Sequence, residues 1–202
     1  MIGELLSLAG IAAFAVSGAL VGVRRRLDLL GVVVVGVATG TGGGVLRDLA
    51  LNVSPPLAFT HWPSLVSAVA ASLAVFVLHS RLSRLRPLEL LFDAFGMGLF
   101  TATGAIYALD HAAGPLAAVL IGTVTAVGGG VVRDVLVTEI PIVLRRELYA
   151  VSALAGAGVT VALDTLTGSV PAATVAGAVV AVVLRLVSLW RGWQLPGSFT
   201  GP

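Results

Sequence analysis

Arginine followed directly by aspartate, just after three glycines and inside an apolar run, occurs twice in this chain. The copies are Gly42-Gly43-Gly44-Val45-Leu46-Arg47-Asp48 and Gly128-Gly129-Gly130-Val131-Val132-Arg133-Asp134. An unpaired charge in hydrocarbon costs at least about 2.5–3.5 kcal/mol on insertion scales, so such residues face a bundle interior or a wet cavity and mark ion or substrate paths. Each glycine costs about 1 kcal/mol against alanine inside a helix, so three in a row are expected to unwind or kink it. Carbonyls freed there must line water or be covered by protein. With the hydroxyls of Thr39, Thr41 and Thr125 nearby, the motif offers oxygen ligands for a partly dehydrated cation. The same glycines also suit close helix contact, as do Gly18 and Gly22 and the series Gly36, Gly40, Gly44.

The charges have their own geometry. Counted at 1.5 Å per residue, Arg47 lies roughly 10 Å from the middle of its apolar run, within hydrocarbon. Adjacent helical positions point in different directions. The duplication therefore suggests cross-repeat pairs, Arg47 with Asp134 and Arg133 with Asp48, which line a pore or clamp the two segments. Asp93 falls about one turn into a later run, where it either attracts cations at a cytoplasmic mouth or serves packing or capping. Arg185 is expected to snorkel to an interface. His61, His79 and His111 fall at run ends, and Trp62, Trp190 and Trp193 fit an aromatic belt.

Other chemistries are poorly served. No HExxH, GxSxG or phosphate-loop pattern is present, which argues against an enzyme. Cysteine is absent, so thiolate metal sites and disulfides are excluded, and neither cofactor nor metal site is expected. The sequence pI is about 9.9, yet the arginines flank apolar runs and form no basic face, which argues against nucleic acid.

The elements that must hold these residues are transmembrane helices. The chain has 202 residues, 57% of them hydrophobic and 11% charged, where soluble domains carry about 25% charge. Apolar runs follow one another at roughly 2–23, 29–51, 62–79, 88–109, 115–138, 147–166 and 170–190, each close to the length that crosses a bilayer. The period-two alternation of a membrane barrel is missing. Arginines follow the first run instead of preceding it, which argues against a cleaved leader. The expectation is a single all-α transmembrane domain over 1–202 with seven spans.

The motif's offset of 86 residues, from Gly42 to Gly128, holds without gaps: Gly10 maps to Gly96, Phe14 to Phe100, Gly18 to Gly104, Gly36 to Gly122, Thr39 to Thr125 and Pro55 to Pro141. Repeat one covers about 2–80, repeat two about 88–166, and the helix at about 170–190 stands alone. Three spans per repeat is an odd number, so the repeats must enter the membrane in opposite directions, an inverted 3+3 architecture. All basic residues are arginine. Arg24, Arg25, Arg26, then Arg81, Arg84, Arg86, then Arg145, Arg146 and finally Arg191 all fall on one side, and the other side has none. By the positive-inside rule that side is cytoplasmic, with the N-terminus outside and the C-terminus inside.

Two GGG-x-x-RD blocks, seven spans and an inverted repeat with the N-terminus outside resemble the prokaryotic trimeric intracellular cation (TRIC) channel family. The resemblance covers nearly the whole chain. It implies a homotrimer in the lipid of a prokaryotic cell membrane, with one pathway per protomer for K+ and, less selectively, Na+. It also implies that the second and fifth spans break at Gly42, Gly43, Gly44 and at Gly128, Gly129, Gly130 and line the pore. Lysine motifs of the animal members have no counterpart here, so the lipid and voltage responses tied to them do not carry over. Sequences of this type are also associated with glycine transport, which leaves a second reading: a secondary transporter of a small zwitterion, with arginine holding its carboxylate and aspartate its amine.

Overall fold

The computed structural model describes residues 2–81, 85–145 and 148–193; Arg84 and Arg146 lie outside them. Among the described residues the chain is helical throughout. Its elements are α1 (Ile2–Arg24), α2 (Leu29–Ala50), α3 (Leu57–Thr60), α4 (Trp62–Leu78), α5 (Leu85–Asp110), α6 (Pro115–Leu136), α7 (Ile142–Arg145), α8 (Leu148–Thr167) and α9 (Val170–Arg191), with one 3-10 turn at His79–Arg81. Six are long and apolar enough to cross a bilayer, and α4, at 17 residues, is a shorter apolar helix. This is an all-helical membrane protein. The expected spans match these helices to within a few residues; α5 begins at Leu85, ahead of the run expected from 88. Pro87 causes no break because a first-turn proline lacks an N–H that the helix does not use.

Helix ends follow local chemistry. Asp28 caps α2, its side chain accepting a 2.7 Å hydrogen bond from the Gly31 amide. Arg26, Asn52, Ala112 and Thr138 all take left-handed backbone, with φ of 57°, 56°, 59° and 57°. They form two pairs at the 86-residue offset, Arg26 with Ala112 and Asn52 with Thr138. Each is followed by the same closing bond across the helix end: Leu27 to Gly22, Ala113 to Ala108, Val53 to Asp48 and Glu139 to Asp134, at 2.8–3.0 Å.

The helices pack reciprocally. α1 lies along α5, where a methyl group built on Gly10 would sit 2.6 Å from the Phe100 ring and one on Gly96 2.7 Å from Phe14. Phe14 and Phe100 meet edge to face at 5.2 Å between centroids. α2 crosses α6 in the same way: a methyl on Gly43 would collide with the Thr125 carbonyl oxygen, and one on Gly129 with that of Thr39. Contacts that pair i with j and j with i are what a two-fold relation produces.

One expectation is overturned. Helix runs without interruption through both glycine triplets, so α2 and α6 are not broken there. A glycine's helix penalty is about 1 kcal/mol, whereas an unpaired backbone group in hydrocarbon costs several. The hydrogen-bonded helix therefore persists, and the missing side chains let two backbones touch. Outside the repeat relation, α9 packs on α8 and α5.

Candidate ion pathway

The two Arg-Asp pairs close on themselves. Arg47 donates from Nε and Nη2 to Asp48 Oδ1 at 2.9 and 2.7 Å, and Arg133 donates from Nε to Asp134 Oδ1 at 2.8 Å. The expected cross-repeat pairs, Arg47 with Asp134 and Arg133 with Asp48, do not form. The reason is reach: the guanidinium sits on a long enough stem to fold back on the next residue, although the Cβ directions diverge. Each aspartate uses its second oxygen to hold the following short helix. Asp48 accepts from the Leu57 amide at 2.7 Å and Asp134 from the Ile142 amide at 2.8 Å. All four charged residues are buried.

Beyond that the two sites diverge. At the inner one, which the arginine rule places towards the cytoplasm, Asp93 on α5 accepts a 2.6 Å bond from Arg133 Nη1, and Ser17 on α1 accepts another at 2.8 Å. Asp93 is wholly buried, so of its two alternatives it takes the packing role and does not stand at an open mouth. Tyr149 and Arg185 close the cluster, with the Arg185 guanidinium 4.6 Å above the Tyr149 ring. Arg185, at 1% exposure, is buried and does not snorkel. The crevice between Gly130, Arg133 and Tyr149 has no room for water. Arg133 Nη2 is buried without a hydrogen-bond partner, and the Tyr149 hydroxyl lies against the Asp93 carboxylate. Below them, Arg24 bridges Glu89 at 3.2 Å and Glu139 at 3.6 Å, and Arg25 Nε bonds Glu139 Oε1 at 2.8 Å. Burial opposes the Glu139 charge, but the Arg25 hydrogen bond and the charges of Arg24 and Arg25 prevail, holding its carboxyl below the usual range.

At the outer site the position equivalent to Asp93 is Ser7, and the one equivalent to Tyr149 is Pro63. A cavity of about 340 Å³ opens there, lined by Ser7, Arg47, His61, Thr103 and Tyr107 and carrying the carboxylates of Glu4 and Asp110. Arg47 stacks on Tyr107, its guanidinium 3.8 Å from the ring centroid, and His111 stacks on the same ring at 4.1 Å. Glu4, Tyr107 and Asp110 escape a motif reading. Subtracting one repeat from the other exposes the exchange of Asp93 for Ser7.

Between the two sites stand the remaining candidates. Thr39, Thr41 and Thr125 donate to the carbonyls of Val35, Val37 and Ile121 at 2.6, 2.8 and 2.6 Å, which leaves their oxygens as acceptors. Gly42 faces Val132, and Gly128 faces Leu46. The third glycines differ: a methyl at Gly44 meets nothing within 4 Å, whereas one at Gly130 meets the Tyr149 hydroxyl at 3.1 Å and Asp93 at 3.7 Å.

Together these features define a helical membrane protein of two like halves, with one polar site open and its counterpart filled. The chain belongs to the family described as "Glycine transporter", whose model matches residues 4–80 and again 90–165. It is 40% identical to the UPF0126 inner membrane protein YadS of Escherichia coli K12, over 95% of this chain and 93% of that protein. A UPF0126 membrane protein of Deinococcus radiodurans is 44% identical over 76% of this chain and 72% of its own length. Among solved structures, the TRIC trimeric intracellular cation channel orthologue from Rhodobacter sphaeroides superposes with a TM-score of 0.91 and 36% identity, covering 95% of this chain and 99% of that one. A second TRIC cation channel gives 0.88 and 35%, covering both chains completely. The resemblance to TRIC channels is shown in sequence and in fold.

Proposed function

We propose that the protein is a passive monovalent cation channel, conducting K+ and less selectively Na+, with one path in each protomer of a homotrimer. The observation that carries this reading is the neutralisation of the two motif arginines, Arg47 and Arg133, by their own neighbours, Asp48 and Asp134. A free guanidinium would bar cations; a bonded pair does not. Glu4 and Asp110 then leave the outer cavity with negative charge, which concentrates cations at its mouth. The path runs from that cavity past the oxygens of Thr39, Thr41 and Thr125 and beside the α2–α6 crossing to the Asp93–Arg133 cluster. The two triplets contribute close approach at Gly43 and Gly129 and open backbone at Gly44. In this conformation Tyr149, Arg133 and Asp93 block the inner end, so conduction requires them to move apart. The unpaired Arg133 Nη2 is a group that entering water would satisfy.

The reading extends to topology. Seven spans in an inverted 3+3 arrangement, N-terminus outside and C-terminus in the cytoplasm of a prokaryotic cell, agree with the arginine distribution and with the reciprocal α1–α5 and α2–α6 contacts. Selectivity between cations is weak in this scheme, because among the described residues the path is lined by helices whose carbonyls are bonded within them.

Liposomes loaded with K+ and holding the purified protein provide the test. A channel gives K+ efflux that follows gradient and voltage with no solute added. Saturable uptake of glycine without such a current would establish the zwitterion transporter instead and refute the channel.

A further inference from the structure

His61 stands at the corner between α3 and α4, on the wall of the outer cavity. Its Nε2 lies 3.4 Å from Glu4 Oε1 on α1, and its Nδ1 is 3.0 Å from Ser64 Oγ. The side chains of His61 and Glu4 are 31% and 56% exposed, so protons reach both from outside. The other titratable or charged groups on the cavity are Arg47 from α2 and Tyr107 and Asp110 from α5; α9 contributes none. Arg47 is matched by Asp48 and stacked on Tyr107, which also carries His111. Among the described residues, Glu4 and Asp110 are thus the cavity's two unmatched carboxylates when His61 is neutral.

Imidazole is the side chain whose ordinary titration falls between about pH 5 and 8. A proton on His61 has two effects in this setting. It turns the contact with Glu4 into an ion pair that ties the first turn of α1 to the α3–α4 corner across the mouth. It also cancels one of the two unmatched negative charges that draw cations in. Both effects act in the same direction.

We infer that His61 and Glu4 form an external proton site that throttles cation entry as the outer pH falls. The inference deepens the channel reading and rests on it. In planar bilayers with the full-length trimer, lowering pH from about 8 to about 5.5 in one chamber should reduce K+ current about two- to threefold, the size expected for losing one mouth charge in water. The same change in the other chamber should not act through this site. His61→Asn should carry current and lose the pH response. His111→Asn, also on the outer side, should keep it. Glu4→Gln should conduct less at every pH and show a smaller response with His61 intact, because the tie across the mouth is gone and only the imidazolium charge still acts. An unaltered pH response in His61→Asn, or a response in wild type from both chambers alike, overturns the inference while leaving the channel standing. Absence of K+ current at every pH overturns the channel itself. The pairing is tested separately by a double-mutant cycle of His61→Asn and Glu4→Gln on thermal unfolding: coupling should appear at about pH 5.5 and vanish at about pH 8, and equal coupling at both rejects the proton-dependent contact whatever the current does.

Discussion

Alanine at Gly43 is the sharpest probe of how α2 and α6 meet. The new methyl would collide with the Thr125 carbonyl oxygen, a backbone atom that cannot rotate away. Restoring ordinary contact requires the helices to part by about an ångström over the crossing. Overpacking of that kind costs about 1–3 kcal/mol, and a backbone obstacle puts it at the upper end. Alanine's better helix propensity returns about 1 kcal/mol, leaving Gly43→Ala destabilised by about 2 kcal/mol. Gly44→Ala is the internal control. Its methyl meets nothing within 4 Å, so the propensity gain stands alone and the variant should be up to about 1 kcal/mol more stable. The neighbouring substitutions should therefore differ by about 3 kcal/mol with opposite signs. Gly129→Ala should repeat Gly43→Ala, because its methyl strikes the Thr39 carbonyl from the other side of the same crossing. The double variant should cost far less than the two singles added, since one separation relieves both collisions. Thermal and denaturant unfolding of the purified protein in one detergent measures all four. If Gly43→Ala is as stable as Gly44→Ala, or if the two crossing substitutions simply add, the backbones are not in contact and the packing account of the triplets fails.

Exchanging the outer and inner cluster residues gives a second test. Asp93→Ser should destabilise the fold by about 3 kcal/mol, the low end for a broken buried ion pair because Asp134 remains on Arg133, and should raise K+ flux; Ser7→Asp should clamp Arg47 and lower flux in the same liposome assay. A reporter fused after Trp193 should be active only in its cytoplasmic form; activity outside would invert the topology. The Glu139 carboxyl is held below its ordinary range, so its pairing with Arg24 and Arg25 stabilises the fold above that range and is lost as pH falls through it. The stability gap between wild type and Glu139→Gln, measured by thermal unfolding, should accordingly shrink as pH drops below about 4.

The membrane helices were legible because hydrophobicity, length and flanking arginines all report one thing, the crossing of a bilayer. The duplication was legible because its glycines and aromatics are irreplaceable where they touch: Gly10 must be small because Phe100 is large, and Gly96 because Phe14 is. The ion pairs were not. Helical phase gives the direction of a Cβ, and Arg47 carries its charge several bonds beyond it, far enough to return to Asp48. The triplets misled for a related reason. Propensity measured in water overstates a glycine's readiness to unwind where nothing nearby can replace the lost hydrogen bonds. Arg185 reads as interfacial by residue counting, yet Tyr149, an aromatic face from another helix, holds it inside.

α9 has no counterpart in the duplication, and this has a consequence for the energy landscape. In a protein built from two equivalent halves, each conformation has a twin obtained by exchanging the roles of the halves, and the twins are equal in energy. Here α9 delivers Arg185 to the inner half alone, where Asp93 and Tyr149 stand in place of Ser7 and Pro63. The degeneracy is lifted. A state closed outside and open inside would have to separate a buried ion pair and find no equivalent bond to make in exchange. On the channel reading this asymmetry gives one gate, at the inner cluster, with a defined resting position, and a cycle visiting both faces would run uphill on the stroke that opens the inner one.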